Sequence, residues 1–202
     1  MSNNHIPRLL QRGESFFVPI AIFLFFSLAS FFATYKLTES PPTWMDEGEI
    51  IQLPMNLVRH GVHGIQAVPG SFISSSFIST SYPVTLPIAL SFHLFGVNLL
   101  SARAVMVVYI LLLLALVYAF LQKFYRTPEA LFALGLLVTF SPLYGNGKNV
   151  LGEIPGTFFL LLTVYLCYAI ECRLKEGASS FSRWFFLGIF LGLPVATKPL
   201  FI

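Results

Sequence analysis

The stretch FFVPIAIFLFFSLASFFATY, Phe16 to Tyr35, decides how this chain is to be read. It carries no charge over 20 residues, and a helix rising about 1.5 Å per residue crosses a hydrocarbon core of roughly 30 Å over that length. It is too long for a signal-peptide core and no Ala-x-Ala-like site follows it, so it reads as a retained anchor. The chain then turns polar. Pro41-Pro42-Thr43-Trp44-Met45-Asp46-Glu47-Gly48-Glu49 sets acids at 46, 47 and 49 beside a tryptophan, a residue suited to the membrane interface. Negative charge at the lip of a bilayer marks either a site or a capped helix.

Outward from that stretch, the composition agrees. Of 202 residues 56% are hydrophobic and only 10% charged, where a soluble domain carries about 25%; the mean hydropathy is +0.78. Uncharged runs recur at Ala104–Leu121, Ala130–Gly147, Ile154–Ile170 and Trp184–Thr197. The expectation is an all-α, polytopic transmembrane bundle with at least four spanning helices and a fifth at the end. Residues 1–15 form a polar cytoplasmic lead, and residues 16–202 form one membrane domain without internal repeats. The chain stops just past its fifth apolar segment with no polar tail, which reads as the front portion of a longer protein.

The net charge of +3 is spread without a basic tract, which removes nucleic acid as a partner. Cys167 and Cys172 are five apart on one predicted helix, roughly 140° around its axis, so they point apart and do not pair. Orientation follows the basic residues. Lys123, Arg126, Arg173, Lys175 and Arg183 flank short connections and set those in the cytoplasm. Residues 36–100 then lie outside, and Asp46, Glu47, Glu49 and Glu153 all face outward.

The long outer segment has structure of its own. Ile50, Leu53, Leu57 and Val58 recur at helical period, with Pro54 as a kink, and predict an amphipathic helix along the membrane surface. Val84–Phe95 is apolar but too short to span, and predicts a second interfacial helix ended by Gly96. Gly61, Gly64, Pro69 and Gly70 break the chain between them, and Ser71–Tyr82 shows no period.

In this order the pieces resemble the polytopic glycosyltransferases that use polyprenyl-phosphate sugars. These are the protein O-mannosyltransferases, aminoarabinose transferases and their bacterial relatives of the GT-C fold. Trp44-Met45-Asp46-Glu47-Gly48 is similar to the acidic motif of their first outer loop. Leu94-Phe95-Gly96-Val97 through Leu100-Ser101-Ala102-Arg103 resembles their entry to the second helix. Ser141-Pro142-Leu143 and Gly152-Glu153-Ile154-Pro155 resemble the second outer loop and its acid. Leu187-Gly188 through Gly192, then Thr197-Lys198-Pro199, resembles the start of later helices.

The resemblance implies transfer of a sugar from a polyprenyl phosphate to an acceptor hydroxyl on the outer face, in a bacterial inner membrane. It casts Asp46 as the base, with Glu47 and Glu153 supporting it or orienting the acceptor. An acceptor hydroxyl needs such a base, which contributes about 10²- to 10⁴-fold. Arg103 and Lys198, flanking apolar segments, and then Arg59 and Lys148 are the outward cations for the donor phosphate. The carboxylates would also suit Mg²⁺, Mn²⁺ or Ca²⁺, whereas His60 and His63 lack a third ligand nearby. Plainer readings exist for each feature. Thr43 and Asp46 fit a capping box, Glu153 fits a helix start beside Pro155, and the cations fit headgroup snorkelling. A transporter or flippase fragment, or a non-catalytic accessory subunit, stands as the alternative.

Overall fold

The computed structural model describes residues 8–175 and 181–198. The connection at 176–180, which carries the expected cytoplasmic turn between Lys175 and Arg183, lies outside the described residues, as do 1–7 and 199–202.

The anchor forms α1 (Arg8–Thr34), which begins inside the stretch expected to be a polar lead and passes through Pro19. Two short helices of the outer segment follow the sequence pattern closely: α2 (Met45–His60) and α3 (Tyr82–Phe95). Ile50 and Leu53 of the expected stripe are buried in α2, while Val58 is exposed. α4 (Leu99–Leu121) starts at Asn98, whose side chain accepts from the Ser101 amide at 2.8 Å, and so satisfies one orphan N–H of the first turn. α5 (Thr127–Val138), the short α6 (Ser141–Gly145), α7 (Glu153–Lys175) and α8 (Phe181–Thr197) complete the chain.

Among the described residues three helices are long and apolar enough to cross a membrane: Phe17–Thr34, Leu99–Leu121 and Glu153–Cys172. The run Ala130–Gly147, expected to be one span, is instead broken. α5 holds 12 residues, about 18 Å of helix, and stops before Ser141-Pro142, where proline starts the next helix and cannot continue the last. α5 still carries the chain back from the far end of α4 to the C-terminal end of α1. Lys148, beyond it, donates to the Tyr35 carbonyl at 2.9 Å. α8, at 17 residues, is also short of a full untilted span; the Thr163 hydroxyl of α7 ties to it at the Phe190 carbonyl, 2.7 Å away.

α4 is the hub. Ile110, Leu113 and Leu114 pack with Ala29 and Ala33 of α1 and Leu134 and Val138 of α5. Ala102, Met106 and Tyr109 pack with Ile50 of α2 and Val84, Ile88 and Phe92 of α3. The small residues of α1 let the helices approach closely, as membrane packing favours. At Gly135 an added Cβ would lie 3.1 Å from the Phe25 ring.

One element departs from an all-helical reading. Residues with no helical period form an antiparallel hairpin, β1 (Gly64–Val68) and β2 (Ser71–Ser74), in a fold that is otherwise helical. Gly70 turns the chain at φ 80°, and Gly64 permits an approach in which a Cβ would sit 2.6 Å from the Ile73 carbonyl oxygen. Asn56 of α2 donates to the Gly64 carbonyl at 2.8 Å. The His63 ring contacts the Ser75 and Thr85 hydroxyls at 3.1 and 2.9 Å and stacks on Tyr82. The hairpin is therefore fastened to α2 and α3.

Candidate active site

The buried centre of the end of the bundle where α1 leads into α2 is an ion pair. Glu47 and Arg103 are both fully enclosed. Arg103 Nε donates to Glu47 Oε1 at 2.8 Å and Nη2 to Oε2 at 2.7 Å, the two-pronged geometry that makes such pairs strong. Nη1 donates to the carbonyls of Leu37 and Pro41 at 2.8 and 2.9 Å, and Nη2 also reaches Asn149 Oδ1 at 3.0 Å. A guanidinium has five N–H groups, and all five are engaged. Glu47 Oε1 further accepts the Val150 amide at 3.0 Å. The pair thus locks the turn after α1, the start of α2, the start of α4 and the segment before α7 into one unit. Arg103, expected at the donor phosphate, has no N–H left to offer one. Glu47 is likewise enclosed, with both carboxylate oxygens bonded to protein groups.

Asp46 and Glu49 leave α2 on a different side from Glu47. They line a cavity of about 250 Å³ with Glu153, Lys198, Ser79 and Leu151. Asp46 is exposed in the first turn of α2, which starts after Trp44 without a side-chain cap, so Thr43 and Asp46 form no capping box. Glu153 is the first residue of α7 and pairs with Lys198, just past the end of α8. Two expected carboxylates from separate loops and one expected cation therefore share one opening. With three acids and one lysine its formal charge is negative. Asp46 and Glu153 stand in the first turns of α2 and α7, where the helix dipole also favours them, and Glu49 lies one turn further into α2. None sits mid-span.

Glu153 also borders a second, larger cavity of about 450 Å³, walled by Leu113, Leu137, Phe140, Leu143 and Ile154, with Asn149 at its edge. Polar and apolar spaces thus meet at one carboxylate. Lys148 opens elsewhere, into a cavity with Tyr35, Ser40 and Ser141. Arg59 is exposed on the last turn of α2 and lines none of these three spaces. Among the described residues no group of three or more His, Cys, Asp or Glu side chains is arranged to hold a metal ion. His60 stacks on Phe72 and His63 anchors the hairpin.

Two residues at or beside the acidic cavity were given no role by the sequence. Glu49 is three residues from Asp46 and therefore on the same helix side, a spacing that was visible. Thr80 carries a buried hydroxyl without a hydrogen-bond partner among the described residues; an added Cβ on Gly152 would stand 3.0 Å from that oxygen and 3.2 Å from Lys198 Cδ. No sequence signal marks it.

A polytopic membrane protein with a charged cavity at one end of its bundle is the class this geometry defines. Residues 83–202 match the family model described as dolichyl-phosphate-mannose-protein mannosyltransferase. The chain belongs to that family, and is a membrane glycosyltransferase of the GT-C type. The matched segment contains Arg103, Lys148, Glu153 and Lys198, while Asp46 and Glu47 precede it. No curated protein and no solved structure matches the chain.

Proposed function

We propose that the chain moves a sugar from a polyprenyl-phosphate donor to an acceptor hydroxyl on the outer face of the membrane, with inversion at the anomeric carbon. The observation that carries this is the junction at Glu153. An apolar space of about 450 Å³ suits an isoprenoid tail, and the adjoining acidic space of about 250 Å³ suits the sugar and acceptor. A donor that is half lipid and half sugar needs both.

In this reading Asp46 accepts the acceptor hydroxyl proton as that oxygen attacks the anomeric carbon. The bond from carbon to phosphate oxygen breaks, and its electron pair leaves with the polyprenyl phosphate. Lys198 faces the departing phosphate, as a cation aimed where negative charge grows. Glu153 holds Lys198 in position and borders both spaces. Glu47 and Arg103 fix the backbone on which Asp46 stands. The cations flanking the short loops favour a cytoplasmic setting for those loops. The cavity would then open to the periplasm of a bacterial inner membrane, where a lipid-linked donor replaces nucleotide sugars.

The test is a transfer assay in membranes with a polyprenyl-phosphate sugar. Asp46→Asn keeps size and hydrogen bonding but is a far weaker base, so turnover should fall about 10²-fold or more with membrane levels unchanged. Near-normal turnover in Asp46→Asn would overturn the assignment.

A further inference from the structure

Lys148 takes no part in the reaction above, and its surroundings are incomplete. Its side chain is buried, with 5% of the residue exposed. Nζ makes one hydrogen bond, to the Tyr35 carbonyl at 2.9 Å, and an ammonium has three N–H groups. Among the described residues no carboxylate pairs with it, and none lines the cavity of about 280 Å³ into which it opens. Buried lysines without a counter-ion are rare because the lost hydration is not replaced. Here burial, and then the nearby Arg103 charge, push the Lys148 pKa down. An anion in the cavity would offset both effects.

The surroundings indicate which anion. Ser40 and Ser141 line the same cavity, and neither hydroxyl makes a hydrogen bond among the described residues. Lysine and two hydroxyls can together address three oxygens of a tetrahedral group. Tyr35 is the first residue past the Phe17–Thr34 span, which sets the cavity at the level of lipid headgroups. Phe32, Tyr35 and Tyr144 give it apolar walls. Arg103 reaches the rim through the Pro41 carbonyl, with Glu47 bound on its other edge and Asp46 adjacent in sequence. The ion pair thus ties Pro41 of this cavity to the residue next to Asp46 of the acidic one.

We propose that the Lys148 cavity is a second anion site, which binds a phosphate group at the membrane surface separately from the Asp46–Glu153 cavity. The group can arrive on a lipid or as free phosphate.

Binding to the detergent-solubilised full chain, followed by native mass spectrometry, separates these sources. The probes are farnesyl phosphate, farnesol and inorganic phosphate. The wild-type chain should take two farnesyl phosphates, and Lys148→Gln one, with affinity for the lost molecule reduced about tenfold or more. Ser141→Glu, at an exposed position, puts a carboxylate beside Lys148 and should remove the same molecule even where the buried lysine variant folds poorly. Lys198→Gln should remove the other one. Competition by inorganic phosphate would identify free phosphate as a sufficient ligand, and its absence would identify the lipid form. Retention of both molecules by Lys148→Gln and by Ser141→Glu would overturn the site, as would equal binding of farnesol. Retention of both by Lys198→Gln alone would instead remove the phosphate ligand from the proposed reaction and leave this site standing.

Discussion

Arg103→Ala separates two roles for one residue. As a phosphate ligand, Arg103 would affect donor affinity and little else. As the structure has it, the residue is fully enclosed and spends every N–H on protein. Its removal leaves Glu47 as an unpaired buried charge, and breaking a buried pair from one side costs about 3–5 kcal/mol. The Leu37 and Pro41 carbonyls and the Asn149 amide oxygen lose partners as well, so about 3 kcal/mol is a floor. On the scaling for domains of 150–250 residues, about 2–4 °C per kcal/mol, the midpoint of thermal unfolding should drop by at least about 6 °C.

The assay is a temperature ramp of the detergent-solubilised chain, read by the remaining monodisperse fraction on size exclusion. Glu47→Gln should also destabilise, since its amide nitrogen would face Arg103 Nη2, donor against donor. The double variant Glu47→Met with Arg103→Met should lose less than either single variant, because no charge is stranded. An Arg103→Ala midpoint within about 2 °C of wild type, combined with weakened farnesyl phosphate binding, would refute the structural role and restore Arg103 to the donor phosphate.

Gly147→Ala should prevent the segment before α7 from forming, because its Cβ would fall 2.1 Å from the Leu143 carbonyl oxygen, a backbone atom with nowhere to go; a normal yield of folded protein would contradict this. The half-buried His63 has its pKa lowered by desolvation, with a backbone hydrogen bond opposing the shift. Its folded form therefore favours the neutral ring, and its stabilising contribution is present above the unfolded pKa of about 6.5 and lost as pH falls through the lower folded value. The protection factors of the amides in residues 64–74, corrected for the intrinsic pH dependence of exchange, should fall on that acid side, and this fall should vanish in His63→Gln. A cysteine in place of Ser75 should react with a membrane-impermeant thiol reagent in intact cells; labelling only after lysis would reverse the topology and with it the outward site.

Length and hydropathy were enough to place α1, α4 and α7, because lipid demands an uninterrupted apolar helix and leaves few alternatives. The interfacial helices were legible for a related reason: Ile50 and Leu53 recur on one side of α2, and Val84–Phe95 is apolar but too short to cross. The break after α5 was available in Ser141-Pro142 but was outweighed by the uncharged run around it. The hairpin could not be read. Its strands hold five and four residues, and what fixes it are long-range partners, Asn56 and Thr85, that no local pattern announces.

The different placing of Asp46 and Glu47 was legible in principle. Glu47, Ile50 and Pro54 stand at i, i+3 and i+7, and all three are buried. The apolar stripe of α2 therefore extends back to Glu47 and carries it into the core, whereas Asp46 and Glu49 share the neighbouring side and face the cavity. A carboxylate on a buried stripe requires a cation on the helix it packs against, and α4 supplies one in its first turns. Adjacent acids one position apart on a helix differ by about 100° in direction. One acid of the motif was thus bound to meet the core if the other was to meet solvent, which is why a side chain can be part of an acidic motif and still hold the scaffold rather than the substrate.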